Sequence, residues 1–370
     1  MTNLEKLIQG KYFWILAFVL HLLVLFVLFS KFGINTSNEG DKYISIARQL
    51  NADNFSDSFR YLWFYSTYIL FLTACFKIGL SIYAILFIQY VFSLFGFYYF
   101  YKLISKQLLL SEFYARLCIL LIATCPIILY WQLTFYTESF FLALVMMTTY
   151  LTISASNKKQ YLIAALFALA LLFCRAVGIF YVIALVFVLM RANKMKYSLL
   201  FLWSTFVLVF IGVLFFVPLH FKYFALPVYQ GSIICGFPLY PNNFLLEGNY
   251  TLAEVYAAFL QENSFSTLLN LFFKKATSFF TLTRPYYSLS HNILNASYYV
   301  FIVGGLFGTY KLIKNKVNSL FVIYFVSILL SSLVIVILIY NEWSERFLVP
   351  LLPFFILITL MSFSKQKSAI

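Results

Sequence analysis

Apolar residues run along this chain in blocks of about 20, parted by short polar stretches. Blocks at 12–32, 82–101, 113–131, 138–154, 198–218, 298–313, 320–340 and 347–363 approach the length that carries a helix across a roughly 30 Å hydrocarbon core. A ninth block, 161–190, has 30 residues. At 1.5 Å per residue it is about 45 Å of helix, too long for one upright span and too short for two full ones. It predicts two short arms meeting near 174–178. The block 62–79 reads as a juxtamembrane or re-entrant helix. Two further helices are predicted at 252–262 and 266–282, the second lying in the membrane interface. The fold class that follows is an all-α, polytopic integral membrane protein with about ten transmembrane helices in a single domain.

Charge sets the orientation. If 62–79 does not cross, the loops rich in lysine and arginine all fall on one side. That side holds fifteen basic residues and two acids, against eleven basic residues and ten acids on the other. The positive side is cytoplasmic, so both termini are expected inside. Two long segments, 33–81 and 219–297, are then expected outside.

Composition agrees: 63% of the residues are hydrophobic and 10% charged. The net charge of +14 is explained by the basic inner loops and calls for no nucleic acid. The first block lacks a small-residue cleavage site and reads as a signal anchor. Five scattered cysteines make neither a disulfide framework nor a metal-ligand cluster. No predicted cytoplasmic loop exceeds about a dozen residues, whereas a nucleotide-binding domain needs on the order of a hundred. An activated substrate must therefore come from the membrane or from outside.

The candidate chemistry lies outside as well. The stretch 33–61 carries Glu39, Asp41, Asp53 and Asp57, four of twelve acids in the chain. Glu39 and Asp41 flank Gly40, and carboxylates there can act as general base for an acceptor hydroxyl. Asp53 and Asp57 read as solvated or capping residues. Glu138 opens the block 138–154 after Tyr136 and Thr137; it is either a favourable charge at a helix N-terminus or a second cavity carboxylate. Arg175 falls at the apex of the 161–190 hairpin, where a recessed guanidinium lines a cavity or binds a partner. The run 284–292 offers Arg284, Tyr286, Tyr287 and His291. Arginine there suits phosphate oxygens, and an interfacial aromatic belt is the other reading. Glu342, Glu345 and Arg346 can pair among themselves.

These residues fall in short motifs: Glu39-Gly-Asp-Lys-Tyr-Ile-Ser-Ile-Ala, Tyr136-Thr-Glu, Cys174-Arg-Ala-Val-Gly and Glu345-Arg-Phe-Leu-Val-Pro. Together they resemble the GT-C fold glycosyltransferases that use polyprenyl-phosphate sugars, the class with protein O-mannosyltransferases and lipid A aminoarabinose transferases. The resemblance covers residues 10–190 and extends loosely beyond. It implies transfer of a sugar from a polyprenyl-phosphate donor to an acceptor hydroxyl or amine on a glycan, lipid or protein. The expected setting is a bacterial inner membrane with the site on its periplasmic face. Asp41 would be the base, with Glu39 kept beside it, because the acid spacing before Tyr43 departs from the family's. Glu138 would orient acceptor or sugar. Arg175, Arg284 and Arg346 would hold the lipid phosphate, and Tyr43, Tyr136 and His291 the substrates. No cofactor is implied with certainty; the acids leave room for a divalent metal, but no ligand cluster demands one. A lipid-linked glycan polymerase or ligase stays open. So does a flippase or transporter, although that class places charges mid-span and repeats its halves.

Overall fold

In the computed structural model the described residues are 3–37, 39–52, 63–192, 212, 219–220, 226–233, 239, 249–315, 317, 319–339 and 345–364. A short helix α1 (Asn3–Gln9) precedes α2 (Phe13–Phe32). Then come α3 (Glu39–Asn51), α4 (Ser66–Lys77), α5 (Ile82–Lys102) and α6 (Glu112–Ala123). Next are α7 (Glu138–Ser154), α8 (Lys158–Leu172) and α9 (Gly178–Ala192). After a stretch holding a two-residue antiparallel pair, Leu219–His220 with Asn249–Tyr250, follow α10 (Leu252–Glu262), α11 (Phe265–Phe280) and α12 (Leu289–Ala296). The chain closes with α13 (Tyr299–Lys314), α14 (Ser319–Leu338) and α15 (Leu352–Phe363).

Two helices form the centre. α7 is buried along most of its length and α15 along nearly all of it. A helix apolar all round belongs inside a bundle. α5 and α8 pack on α7, and α13 packs on α15. The α13–α15 approach is close because Gly304, Gly305 and Gly308 face α15. A Cβ on Gly305 would stand 2.6 Å from Phe355 Cδ1. α2 is the opposite case, with Trp14, Phe18, Leu23 and Phe26 exposed. Apolar surface of that extent belongs in lipid.

The expected ten spans are not what the described residues hold. Four helical stretches are long and apolar enough to cross a membrane: Phe13–Phe32, Ile82–Gln107, Leu289–Lys314 and Leu320–Leu338. A fifth is reached if the bent pair Glu112–Ala123 and Pro126–Leu133 counts as one span. The physical reason is local. The 113–131 block bends by 53° ahead of Pro126, whose ring nitrogen cannot donate to a helix. The 161–190 block divides between Leu172 and Gly178, as its length predicts. The last block turns from Glu345 to Leu351 before it becomes helical, so α15 has only 12 residues. The 198–218 block lies outside the described residues save Gly212. This is the build of an all-α membrane protein, with several apolar helices shorter than a full span.

The 62–79 stretch gives a helix of 12 residues, α4, too short to cross, and it packs on α3. The predicted helices at 252–262 and 266–282 are α10 and α11. Lys275 on α11 departs from the interfacial expectation: it is buried at 1% exposure, and burial pushes its amine down to about 7.

Candidate functional site

Three backbone links bring distant segments together. Asn35 N donates to Leu133 O at 2.9 Å, and Phe135 N donates to Asn35 O at 3.1 Å. This bridge sets the start of α3 beside the start of α7. Gly40 lies against Phe135, where a Cβ would meet Phe135 Cβ at 3.4 Å. Thr67 N donates to Phe173 O at 3.0 Å, tying α4 to the break that carries Arg175. A buried polar knot completes the frame. Gln89 of α5 accepts from Tyr68 at 2.8 Å and donates to Thr134 O at 3.0 Å and Ser139 Oγ at 2.8 Å.

Four charges meet within this frame. Arg346 Nη2 donates to Glu39 Oε2 at 2.7 Å, and its Nε donates to Glu138 Oε1. Arg175 Nη1 lies 3.4 Å from the same Glu138 oxygen and from the Arg346 carbonyl. The Arg175 guanidinium sits between Phe141 and Phe347, at 5.5 and 5.7 Å from their ring centres, and Arg346 lies 5.5 Å from the Tyr136 ring. Such rings favour a cation held out of water. Glu138 is fully buried, whereas the Glu39 side chain is 32% exposed. Glu39 therefore stands at the mouth of the cluster. Tyr43 donates to Glu39 Oε2 at 3.4 Å, and Tyr136 donates to Ser37 O at 3.1 Å.

The electrostatics follow from burial and pairing. Burial pushes the Glu39 carboxyl up, but the charge and hydrogen bond of Arg346, with Arg175 and Lys42, outweigh it and hold it below the usual range. Burial works against the Arg346 charge, yet Glu138 and Glu39 keep it protonated well above its ordinary range. Burial and the Glu39 charge push the Tyr43 phenol well up. Two of the four charged groups in this cluster keep open positions toward the described residues. Glu138 Oε2 has no hydrogen-bond partner, and Arg175 donates only through Nη1, leaving Nε and Nη2 without acceptors.

A second cluster lies one residue along the chain. Glu345 has a left-handed backbone, φ 58°, a conformation a side chain other than glycine seldom adopts. Its carboxylate accepts from Arg284 Nε at 3.3 Å and from Tyr287 at 3.1 Å. Arg284 also donates to Ser278 Oγ at 2.9 Å, and His291 stacks on Tyr287 with ring centres 4.0 Å apart. Burial pushes the Glu345 carboxyl up to about 7, against the opposing pull of Arg284 and Tyr287.

The structure thus joins Glu39, Glu138, Arg175, Arg346, Tyr43 and Tyr136, and sets Arg284 and His291 apart in the second cluster. Asp41 is exposed, while Gly40, Tyr43, Ile44 and Ala47 form the buried face of α3. The sequence expectation favoured Asp41 over Glu39; the contacts belong to Glu39. Glu345 and Arg346 do not pair with each other through their side chains but with Arg284 and with Glu39 and Glu138. Asp53, Asp57 and Glu342 lie outside the described residues. No three His, Cys, Asp or Glu side chains among the described residues gather to hold a metal; Arg346 occupies the space between Glu39 and Glu138. Gln89 and Tyr68 were missed by sequence reasoning, because single polar groups in apolar blocks carry no periodic signal; Asn35 was missed because its bridge to 133–135 is made by backbone groups.

Comparison with protein-family models, with curated proteins and with solved structures finds no match to this chain.

Proposed function

We propose that this chain is a membrane-embedded glycosyltransferase that moves a sugar from a polyprenyl-phosphate donor to an acceptor hydroxyl, in a bacterial inner membrane and at its periplasmic face. The observation that carries the reading is the convergence of two carboxylates and two guanidiniums, from four segments far apart in sequence, in a chain with few charged residues. Buried charges are costly, and such groups inside a membrane protein mark a working site by default.

In this reading Glu39 takes the role that the resemblance gave to Asp41, because only Glu39 is both in the cluster and reachable. The acceptor O–H proton passes to a Glu39 oxygen as the acceptor oxygen bonds to the sugar's anomeric carbon. The bond from that carbon to the phosphate oxygen breaks, and its electron pair leaves on the lipid phosphate. Arg175 offers that oxygen its two open N–H edges. A fixed donor placed where negative charge develops lowers the barrier. Glu138 keeps both guanidiniums in place and so orients the groups that meet the substrates. The start of α7 adds the positive end of a helix dipole on the same side.

The test is Arg175→Lys. Lysine keeps the charge but loses the planar fork. Single-turnover transfer from a polyprenyl-phosphate sugar should fall by about 10²-fold or more, in line with loss of one oxyanion donor, while binding of the lipid phosphate alone falls less. An unchanged rate would remove Arg175 from the reaction.

A further inference from the structure

The groove at the other end of the first span has no part in the reading above. It has a volume of about 440 Å³ and runs between α2, α5 and α6. Trp14, Phe18 and His21 form one wall, and Leu94, Phe97 and Tyr101 the facing one. Each wall covers eight residues of helix, seven steps of 1.5 Å, so the groove is about 10 Å long, a third of a roughly 30 Å hydrocarbon core. Its volume lies in the range of ligand pockets, roughly 300–1,000 Å³.

The two ends of the groove differ in chemistry. At the deep end His21, 2% exposed, donates from Nδ1 to Ala123 O at 2.6 Å. That carbonyl is left over where α6 stops, ahead of Pro126. The other ring nitrogen, Nε2, has no partner among the described residues. The shallow end is basic. Lys102 follows the wall residue Tyr101, and its Nζ lies 4.4 Å from the centre of the Tyr98 ring, another lining residue. Lys102 makes no ion pair among the described residues. Arg116 lies 5.8 Å from the Trp14 ring but is already bonded to Glu112, Ile8 O and Gly10 O. Lys11 stands at the same end, over the Tyr12 ring at 4.9 Å.

We infer that this groove is a binding site for one anionic phospholipid of the leaflet that holds Lys11 and Lys102. An acyl chain lies along the apolar walls toward His21, and the phosphate rests on Lys102. Charge complementarity selects an anionic head over a zwitterionic one: the acid that meets the groove wall at this end, Glu112, is taken up by Arg116 and Tyr101, which leaves Lys11 and Lys102 as the excess positive charge at the water end. Basic pockets between spans bind anionic heads in this manner. The site lies away from Glu39 and Glu138, so it is separate from the transfer chemistry.

The experiment uses the full chain in nanodiscs of phosphatidylcholine with phosphatidylglycerol, followed by native mass spectrometry of the lipid retained. The wild-type chain should keep one phosphatidylglycerol. Lys102→Gln should weaken retention about fivefold, the effect of losing roughly 1 kcal/mol per basic residue. Lys158→Gln makes the same charge change on an exposed residue at the start of α8 and should leave retention unchanged. Ala17→Phe fills the groove from its wall and should abolish retention. Equal loss in Lys102→Gln and Lys158→Gln would overturn the proposal. So would undiminished retention in a folded Ala17→Phe chain, or equal retention of phosphatidylcholine. If Ala17→Phe does not fold, the lysine pair decides alone.

Discussion

Removing Arg346 should do more damage than its single position suggests, and the damage should be repairable. Among the described residues in direct contact, Glu39 and Glu138 carry two negative charges and Arg175 and Arg346 two positive ones. Arg346→Gln leaves the fully buried Glu138 with Arg175 as its one cation among the described residues, at 3.4 Å. Breaking a buried pair by removing one partner costs about 3–5 kcal/mol. Glu39 adds little to that figure, because a third of its side chain is exposed and water screens it. Glu138→Gln makes the mirror error and leaves two guanidiniums against one carboxylate. The double variant restores balance, with Glu39 facing Arg175. Its loss should therefore fall short of the sum of the single losses by about 2 kcal/mol, within the range of coupling for residues in one network. The assay is reversible unfolding in mixed micelles of a mild detergent and SDS, for the wild-type chain, both singles and the double. Additive losses, agreeing within about 0.5 kcal/mol, would refute the claim that one charge network holds these segments together.

Two other outcomes are expected. Gln89→Leu should cost about 1–3 kcal/mol in the same assay, because it strips buried groups on Tyr68 and Ser139 of their partner; a neutral result would show that the knot does not brace the site. Glu345 should give stability a pH dependence: its folded value, about 7, stands above the ordinary carboxylate range near 4.3, so the folded chain holds the proton more tightly than the unfolded one. The contribution is full below about pH 4.3 and is lost as pH rises through about 7. A melting-temperature series from pH 5 to 8 should therefore fall less steeply in Glu345→Gln than in the wild-type chain, and identical slopes would contradict this.

Much of the site was legible in the sequence because charge is rare in this chain. An acid at the start of an apolar block, as with Glu138, or an arginine inside one, as with Arg175, stands out without any structure. The choice between Glu39 and Asp41 was not legible. In the sequence the two acids simply flank Gly40, but the chain is already helical at Glu39, and helical residues two apart do not share a face. The partners of Glu345 and Arg346 were hidden for a related reason. A left-handed residue at Glu345 sends the two neighbouring side chains to different clusters, and the sequence here contains no glycine to announce it. Span count was over-read because block length was taken for helix length. Pro126 and the turns from Glu345 to Leu351 shorten helices inside blocks whose hydropathy is unbroken.

The most direct test of the proposed site compares Glu39→Gln with Asp41→Asn. The purified chain is given a polyprenyl-phosphate sugar and a hydroxyl acceptor, and release of the lipid phosphate is measured. The account predicts that Glu39→Gln loses about 10²- to 10⁴-fold, the usual share of general base catalysis, while Asp41→Asn stays near the wild-type rate. A normal rate in Glu39→Gln beside a dead Asp41→Asn would contradict it.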